Sequence, residues 1–472
     1  MVNDLATAPT RSPWMGFSAV SVGIFMATLD GSIVNVALPT ITRELRSSIA
    51  GVEWIVAGYL LVISAALLTA GRLGDLLGHR LVYVGGLLVF TLGSGLCGLA
   101  PGLALLTGAR AVQGLGASAM LAMGPAIVTA IFPATHRGRA LGAVASVVAL
   151  GLTAGPPLGG FIMQHLSWRW IFFVNLPIGA AGVMWSLRAL PRVRPARPAP
   201  LDRRGALLLA ATLGAGVAGI QAAPQSAGRV AMFITVAVAT GILLVRHLRR
   251  APAPVIDLAL FRSRVFSAGI AGGVLSYAAL FSSTFLTPFF LARVKGLDAT
   301  ALGAVLTAVP LALSVVAPVA GSLSDRFGPR ALGPAGMVVL AAGLVLVGLA
   351  DQGTTPGVIA LRLGVCGAGM GLFQPPNNSA VMGTLPRERL GSGGGMLATA
   401  RNVGMVVGVS MASALFRARA GDVAVAPERF LAGYRAALLV GAAFALAAGG
   451  AALARDRGPV KEPRVEGAWR RE

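Results

Sequence analysis

GRLGDLLGHR (residues 71–80) and GSLSDRFGPR (residues 321–330) are two copies of one pattern, G-x-L-x-D-x-x-G-x-R. Each copy directly follows an apolar run of about 20 residues, the length that a helix needs to cross a bilayer. The copies fall at equivalent positions in two halves of the chain. The sequence therefore predicts a membrane protein with an internal repeat, an architecture common among transporters.

Similar apolar runs recur along most of the chain. Of its 472 residues, 56% are hydrophobic and only 12% are charged, and the mean hydropathy is +0.78. Soluble domains carry about 25% charged residues, so this chain lacks the charge to cover a water-exposed surface. The runs do not show the two-residue alternation of a β-barrel. We therefore predict an all-α integral membrane protein with fourteen transmembrane helices.

The basic residues lie mainly in the short segments between apolar runs. With the N-terminus placed in the cytoplasm, 26 of the 39 Lys and Arg residues fall on the cytoplasmic side, ten fall outside and three lie in spans. Cytoplasmic loops are enriched in these residues, so both termini are predicted to be cytoplasmic, in a bacterial cytoplasmic membrane. Because the net charge of +22 is dispersed among loops, we expect no nucleic-acid partner.

Two basic segments divide the chain, a Pro- and Arg-rich linker at residues 191–204 and a second linker at residues 248–265. We predict a six-helix bundle before the first linker, two additional helices between the linkers and a second six-helix bundle after them. These units, with a cytoplasmic tail, span residues 1–190, 205–247, 266–454 and 455–472.

Few residues offer catalytic or metal-binding chemistry. The four histidines lack the spacing of metal ligands, and Cys97 and Cys366 lie in apolar runs, where they are best interpreted as packing residues. Neither Lys295 nor Lys461 belongs to a phosphate-binding loop, which argues against an ATP-driven pump. We expect no enzyme activity, catalytic residue, metal or cofactor.

The repeated loop resembles the signature between spans two and three of the major facilitator superfamily. Leu76 and His79 depart from the basic residues usual there. Gly71 and Gly78 are expected to allow close helix approach and a tight turn, and Asp75 to cap a helix or pair with an Arg across the inner interface. The resemblance implies that a gating loop contains Gly71, Asp75, Gly78, Arg80, Asp325, Arg326 and Arg330.

The fifth predicted span is similar to the antiporter motif of that superfamily. Glycines at four-residue spacing make a close-packing helix face, and Pro156 removes a backbone hydrogen bond and bends the helix. Generic small-residue packing would explain one pair of glycines but not the whole string. The resemblance favours exchange over symport and rests on Gly151, Gly155, Pro156, Gly159 and Gly160.

Arg110 and Gln113 in the fourth span resemble the R-x-x-Q-G motif of the superfamily and share one helix face. An Arg inside a span costs at least a few kcal/mol, so it should face a cavity or a charged partner; the alternative is that it snorkels to the span end. The strings around Asp30, Trp54 and Trp168 resemble the fourteen-span drug:proton antiporters of the same superfamily.

Asp30 is the only one of the seventeen acids that we place well inside a span, with Glu53 at the outer edge of span two. Burial favours the protonated form of a carboxyl, so Asp30 is predicted to bind a proton outside and release it inside. Arg110 would favour the ionised form when close, and a cationic substrate would compete for the carboxylate. The alternative is a structural Asp that is permanently paired with an Arg.

Other candidates for substrate binding are polar or aromatic residues of the spans. In the second half, Pro375-Pro376 is expected to break a helix, and broken helices near the midplane often form binding sites. Two phenylalanines at i and i+4 would form an aromatic wall, although packing or lipid contact explains them equally well. The predicted substrate-binding residues are Asp30, Trp54, Gln113, Phe281, Phe285, Gln374, Asn377, Asn378 and Arg401.

Together these features predict a secondary active transporter that exports hydrophobic, cationic drugs or antibiotics in exchange for protons by alternating access. The expected partners are protons, small hydrophobic or cationic substrates and the lipid bilayer, and the protein is expected to act as a monomer. A proton-coupled metabolite or lipid exporter or importer of the same fold is the alternative. A non-transporting receptor fits less well, because the sequence contains no large soluble segment.

Overall fold

The computed structural model describes residues 12–191, 200–223, 226–327, 329–386, 389–421 and 426–455. In this part of the chain all regular elements are helices, and fourteen spans are long and apolar enough to cross a membrane. The predicted all-α membrane fold and its fourteen spans are confirmed. Cys97 and Cys366 are both buried with free thiols.

The first six spans form the N-terminal bundle. Ser48 caps its second helix by accepting a hydrogen bond from the backbone of Gly51. A short helix and a longer one, separated only by Val174, make up the sixth span. The helices are α1 (Pro13–Glu44), α2 (Ile49–Leu77), α3 (His79–Leu99), α4 (Leu103–Ile131), α5 (Arg137–His165), α6 (Trp170–Phe173) and α7 (Asn175–Ala189).

An accessory hairpin follows, made of α8 (Arg203–Ala222) and α9 (Ala227–Leu248). The Asp202 carboxylate caps α8 through the amide of Gly205 at 2.8 Å. It also contacts the His247 ring at 2.6 Å and accepts from the Val255 amide at 3.1 Å. Partial burial favours the neutral acid, but these hydrogen bonds outweigh it and lower the pKa of Asp202. Asp202 thus joins the start of the hairpin to its end and to the second linker.

We expect Asp202→Ala to reduce stability at pH 7 by about 1–3 kcal/mol, since it removes a helix cap and hydrogen bonds to a charged group. Because the folded-state pKa is lowered, this contribution is present above the unfolded-state pKa and is lost as the pH falls through the folded-state value. Thermal unfolding in detergent, followed by tryptophan fluorescence, measures the change. Glu428→Ala, at an exposed acid in another helix, is the matched control, and equal midpoints for both variants would contradict the prediction.

The last six spans form the C-terminal bundle, in which two consecutive helices again share one span. The helices are α10 (Arg264–Arg293), α11 (Ala299–Leu306), α12 (Ala308–Phe327), α13 (Pro329–Gly348), α14 (Pro356–Met382), α15 (Leu390–Ala420) and α16 (Pro427–Ala454). A short 3₁₀ turn at Leu258–Arg262 precedes the bundle.

The expected helix break at Pro375-Pro376 is wrong, because α14 continues through both prolines. The helix is held between α12 and α13. A Cβ on Gly369 would meet the backbone of Leu340 in α13, and one on Gly371 would touch Val316 in α12. Tight packing of this kind supports a helix across residues that lack an amide donor, since neighbouring groups can compensate for the lost hydrogen bonds.

The two bundles meet chiefly where α2 packs against α15 and α5 packs against α11. In addition, α1 packs against α10 and α11, and α5 packs against α12. Helix α8 packs against both α2 and α15, so the accessory hairpin covers the seam between one helix of each bundle. Helix α9 packs against α8 and is otherwise largely exposed. Most of the first predicted linker, and the tail after residue 455, lie outside the described residues, and the predicted domain boundaries stay a prediction.

Candidate functional site

Asp30 of α1 and Arg110 of α4 form an ion pair inside the N-terminal bundle. Arg110 Nη1 lies 2.5 Å from Asp30 Oδ2, and the two side chains are 1% and 0% exposed. Arg110 points at its partner and does not reach the end of its helix, so the snorkelling alternative is wrong. A charged side chain is tolerated inside a membrane protein when it contacts a side chain of opposite charge.

Two amide side chains complete the surroundings of the carboxylate. Gln113 Nε2 donates to Asp30 Oδ1 at 2.9 Å, while Gln113 Oε1 accepts from Arg110 Nη1 at 2.7 Å. Asn175 Nδ2, at the start of α7, lies 3.5 Å from Asp30 Oδ1. Arg110, Gln113 and Asn175 all present donor groups toward Asp30, and a carboxylate, which acts as an acceptor only, suits all three.

Arg110 has further partners on α2 that do not depend on Asp30. Its Nε donates to the Ile55 carbonyl at 3.2 Å, and its guanidinium lies 3.8 Å from the centre of the Tyr59 ring. A desolvated cation–π contact contributes about 2 kcal/mol. Helix α2 thus stabilises Arg110 even when the charge on Asp30 is removed.

The prediction that Asp30, Arg110 and Gln113 lie in one site is confirmed. Tyr59 and Asn175, which also belong to this site, were not predicted from the sequence. Both occur in strings that resemble drug exporters, as single polar side chains in apolar surroundings. That pattern was the available signal, since a polar group in a span needs a partner inside the protein.

The glycines of the antiporter string pack against the segment of α1 that carries Asp30. A Cβ on Gly155 would overlap the Ser32 side chain, and a Cβ on Gly151 would overlap Thr28. The Ser32 hydroxyl also donates to the Gly151 carbonyl at 3.2 Å. Thr28 and Ser32 lie on either side of Asp30 in sequence, so close contact with α5 fixes the position of this segment.

The other two glycines of the string lie against α1 and against the second bundle. Gly159 packs against Ile33 of α1, and a Cβ on Gly160 would overlap the backbone of Ala299 in α11. Helix α5 continues through Pro156, whose carbonyl lies against Gly303. One glycine-rich helix therefore contacts both the Asp30 segment and the C-terminal bundle.

The first copy of the gating-loop pattern has only local contacts for its acid in the described part of the chain. Asp75, in the last turn of α2, lies 3.8 Å from Arg72 and 3.4 Å from His79. The expected cap is wrong, because Gly78 occupies the N-cap position of α3 with no side-chain cap. Gly78 has φ +93°, which favours glycine. The expectation that Gly71 allows another helix to approach closely is also wrong, because a Cβ added there would have no neighbour within 4 Å.

The remaining gating-loop residues are only partly described. Arg80 donates to the Leu187 carbonyl at the end of α7 over 2.5 Å. In the second copy, residue 328 lies outside the described residues, as do the side chains of Asp325, Arg326 and Arg330.

The sequence matches the profile of the Major Facilitator Superfamily over residues 20–409 and, in a second match, 269–471. The chain belongs to this superfamily. It is 35% identical over 410 residues to the riboflavin transporter RibZ of Clostridioides difficile strain 630, with 86% of this chain and 89% of that protein covered. It is also 35% identical over 413 residues to the multidrug resistance protein Stp of Mycobacterium tuberculosis strain H37Rv, with coverage of 86% and 76%.

The fold is shared with solved structures of low sequence identity. A POT family transporter in complex with 5-aminolevulinic acid superposes with a TM-score of 0.69 at 14% identity, and the match covers 92% of this chain and 94% of that one. This member of the Major Facilitator Superfamily is thus a multi-pass membrane transporter, consistent with small-molecule substrates and a lipid bilayer.

The predicted substrate-binding residues on α10 and α15 of this transporter do not join the Asp30 cluster. Phe285 is 1% exposed and packs on Phe289, with ring centres 5.7 Å apart, whereas Phe281 is half-buried. Arg401 is half-buried beside the Tyr277 hydroxyl. Spacing along a helix predicted which residues share a face, but not whether that face meets a cavity or a neighbouring helix.

The polar residues of α14 differ in burial and in their contacts. Asn377 is buried, donates to the Gly269 carbonyl of α10 at 3.2 Å and accepts from Arg455. Gln374, Asn378 and, on α2, Trp54 are half-buried. Asn377 therefore joins helices at the end of the C-terminal bundle, and its role in substrate binding stays a prediction.

The burial of one acid was not predicted from the sequence. Glu53 lies near the outer end of α2, four residues after its first residue, Ile49. It is nevertheless 0% exposed, because Gln221 of the accessory hairpin covers the carboxyl. Arg417, in the last turn of α15, is also buried, at 6% exposure. Asp30 is thus not the only buried acid in the spans.

Proposed function

We propose that this transporter exports small hydrophobic, cationic compounds, drugs and antibiotics among them, in exchange for protons. The observation that carries the proposal is a fully buried carboxylate, Asp30, paired with Arg110 on a helix segment fixed by the antiporter glycines. The protein works as a monomer in a bacterial cytoplasmic membrane, with both termini in the cytoplasm. The side of the membrane that holds residues 44–49 is accordingly the outside.

Proton binding changes the balance of charge at this site. Removing one partner of a buried ion pair costs about 3–5 kcal/mol, because the other charge is left uncompensated. A proton on Asp30 neutralises the carboxylate and leaves the charge of Arg110 uncompensated. The remaining partners of Arg110 are Gln113, the Ile55 carbonyl and the Tyr59 ring. The protonated site therefore favours a different position of α1 relative to α4.

A change in α1 reaches the interface between the bundles through direct contacts. Helix α1 packs against α10, and its glycine-rich partner α5 packs against α11. We assign to these contacts the switch between the two orientations of the transporter. When Arg110 withdraws, a cationic substrate competes with the proton for Asp30, so the two never occupy the carboxylate together and exchange is obligatory.

The relatives support export without identifying the cargo. Stp is named as a multidrug resistance protein, which favours a drug as substrate. RibZ is named as a riboflavin transporter at the same identity, which favours a proton-coupled metabolite transporter as the second candidate. Gating by Asp75 and its counterpart in the repeat, and substrate contacts by the residues predicted on α10, α14 and α15, belong to the same proposal.

Transport by the purified full chain in liposomes tests this function. With the membrane potential clamped at zero, an acidic lumen should drive uptake of tetraphenylphosphonium through inside-out molecules. A gradient of about one pH unit, worth about 1.4 kcal/mol per proton, supports at least about tenfold accumulation. Dissipating the pH gradient should release the cation.

Protein-free liposomes provide the control for binding of the cation to lipid. The absence of tetraphenylphosphonium uptake, or uptake that persists without the pH gradient, would contradict the export proposal. Riboflavin accumulation under the same gradient, with no accumulation of the cation, would favour the second candidate.

A further inference from the structure

Glu53 is a second fully buried acid, and it lies where the two bundles and the accessory hairpin meet. Its Oε1 accepts a hydrogen bond from Gln221 Nε2 of α8 at 2.5 Å. Ser410 and Ser413, three residues apart on α15, lie beside the carboxyl, as does Arg417. The acid comes from the N-terminal bundle and the serines from the C-terminal bundle, so the cluster crosses the seam.

The polar atoms around Glu53 are buried and loosely paired. Within the described part of the chain, Glu53 Oε2, Ser410 Oγ, Ser413 Oγ and Arg417 Nε make no hydrogen bond of standard geometry, although both serine hydroxyls lie close enough to the carboxyl to interact with it. A hydroxyl can donate to an ionised carboxylate or accept from a protonated one. The surroundings of Glu53 therefore accommodate the carboxyl with or without a proton.

The charges around Glu53 favour a proton over a metal cation. Among the described residues that face it, Arg417 of α15 is the charged group, and α8 contributes the neutral Gln221. Arg417 Nη2 donates to the Gln221 carbonyl at 2.9 Å, which holds the guanidinium in the cluster. A nearby guanidinium repels a bound cation but also stabilises the ionised carboxylate. Both protonation states of Glu53 are thus accessible.

The Glu53 cluster is separate from the Asp30 site. The Ile55 carbonyl, which binds Arg110, is two residues beyond Glu53, so the two positions point about 200° apart around α2. Tyr59 is four residues beyond Ile55 and shares its face. Helix α2 therefore contacts the Asp30 site with one face and the Glu53 cluster with the opposite face.

We propose that Glu53 is a second exchangeable proton site of this transporter, completed by Gln221 of the accessory hairpin and by Ser410 and Ser413 of α15. The inference rests on proton-driven export as the proposed function. Because the site lies across α2, α8 and α15, its protonation is tied to movement along this seam, and each transport cycle carries two protons.

The number of protons is measurable as the slope of cation accumulation against the pH gradient. At zero membrane potential, each exchanged proton contributes about tenfold accumulation per pH unit. The wild type should therefore accumulate tetraphenylphosphonium about a hundredfold per unit at equilibrium. Glu53→Gln should reduce the slope to about tenfold, because the new amide keeps the shape and the acceptor for Gln221 but binds no proton.

Two matched variants separate loss of the proton from loss of structure. Glu53→Asp keeps a titratable carboxyl and should keep the wild-type slope. Glu44→Gln removes an exposed acid at the outer end of α1 and should also leave the slope unchanged. A tenfold slope for the wild type, or equal slopes for wild type and Glu53→Gln, would overturn the second site while proton-driven export stands. No response of the wild type to the pH gradient would instead refute the proposed function.

Chemical labelling of the wild type tests the site without a substitution, should Glu53→Gln fail to fold. Dicyclohexylcarbodiimide reacts with protonated carboxyls in apolar surroundings. During turnover with tetraphenylphosphonium, mass spectrometry should find Glu53 modified at acidic pH and progressively less as the pH rises. Absence of the modification at acidic pH would overturn the proposal.

Discussion

Asp30→Asn is expected to abolish pH-driven accumulation of tetraphenylphosphonium while some binding of the cation is retained. The amide cannot exchange a proton, so the pH gradient no longer drives the site. The substitution also leaves Arg110, at 1% exposure, without its charge partner, which should destabilise the protein by about 3–5 kcal/mol. Flux into proteoliposomes and thermal unfolding in detergent measure the two effects separately.

A double variant distinguishes coupling from stability. Asp30→Asn combined with Arg110→Met removes both charges, so it should be more stable than Asp30→Asn alone while still failing to accumulate the cation. Glu44→Gln, at an exposed acid of the same helix, should behave as wild type in both assays. If Asp30→Asn accumulates the cation normally, Asp30 is a structural residue and another group carries the proton.

Gly155→Ala is expected to reduce transport by at least about tenfold and to destabilise the protein by about 1–3 kcal/mol, the usual range for overpacking. A Cβ at this position overlaps the Ser32 side chain and lies 3.1 Å from the Ile33 backbone nitrogen. Helix α1 has to shift, and Asp30 shifts with it. Initial transport rates, normalised to the amount of folded protein, measure the effect.

The same helix offers a matched control. Gly142 is exposed, and a Cβ there would meet no atom within 4 Å, so Gly142→Ala should transport normally. Adding Ser32→Gly to Gly155→Ala removes the overlapping side chain and should restore part of the activity. Equal loss in the Gly142 and Gly155 variants would show that helix composition matters and close contact with α1 does not.

The number and type of the spans could be predicted because they depend on the length and hydropathy of each apolar run. Fourteen apolar runs of sufficient length predict fourteen helices whatever their neighbours are. The pairing of Arg110 with an acid was predictable for a related reason. A charge in a span needs a counter-charge, and Asp30 was the acid recognised within a span.

The errors concern features that depend on the neighbours of a helix. The length of the apolar run did not show that Gln221, of a helix more than 160 positions away, covers Glu53. The packing that keeps α14 helical across Pro375 comes from α12 and α13. Gly71 looked like a contact residue by pattern alone, yet it faces open space.

The neighbours of each helix also decide which of the predicted site residues lie together. Asp30, Arg110 and Gln113 meet because α1 and α4 are adjacent in one bundle. The candidates on α10, α14 and α15 were chosen for polarity or aromaticity, and several turned out to hold helices together. Asn377 is the clearest case, since it connects α14 to α10 and to Arg455.

Obligatory exchange at Asp30 is tested most directly by the direction of proton movement. Proteoliposomes that contain a trapped pH-sensitive dye, at equal pH on both sides and with the potential clamped, receive tetraphenylphosphonium outside. Entry of the cation should carry protons out, so the lumen becomes alkaline in the wild type and does not change in Asp30→Asn. Entry of the cation with no change in luminal pH, or with acidification, would contradict proton exchange.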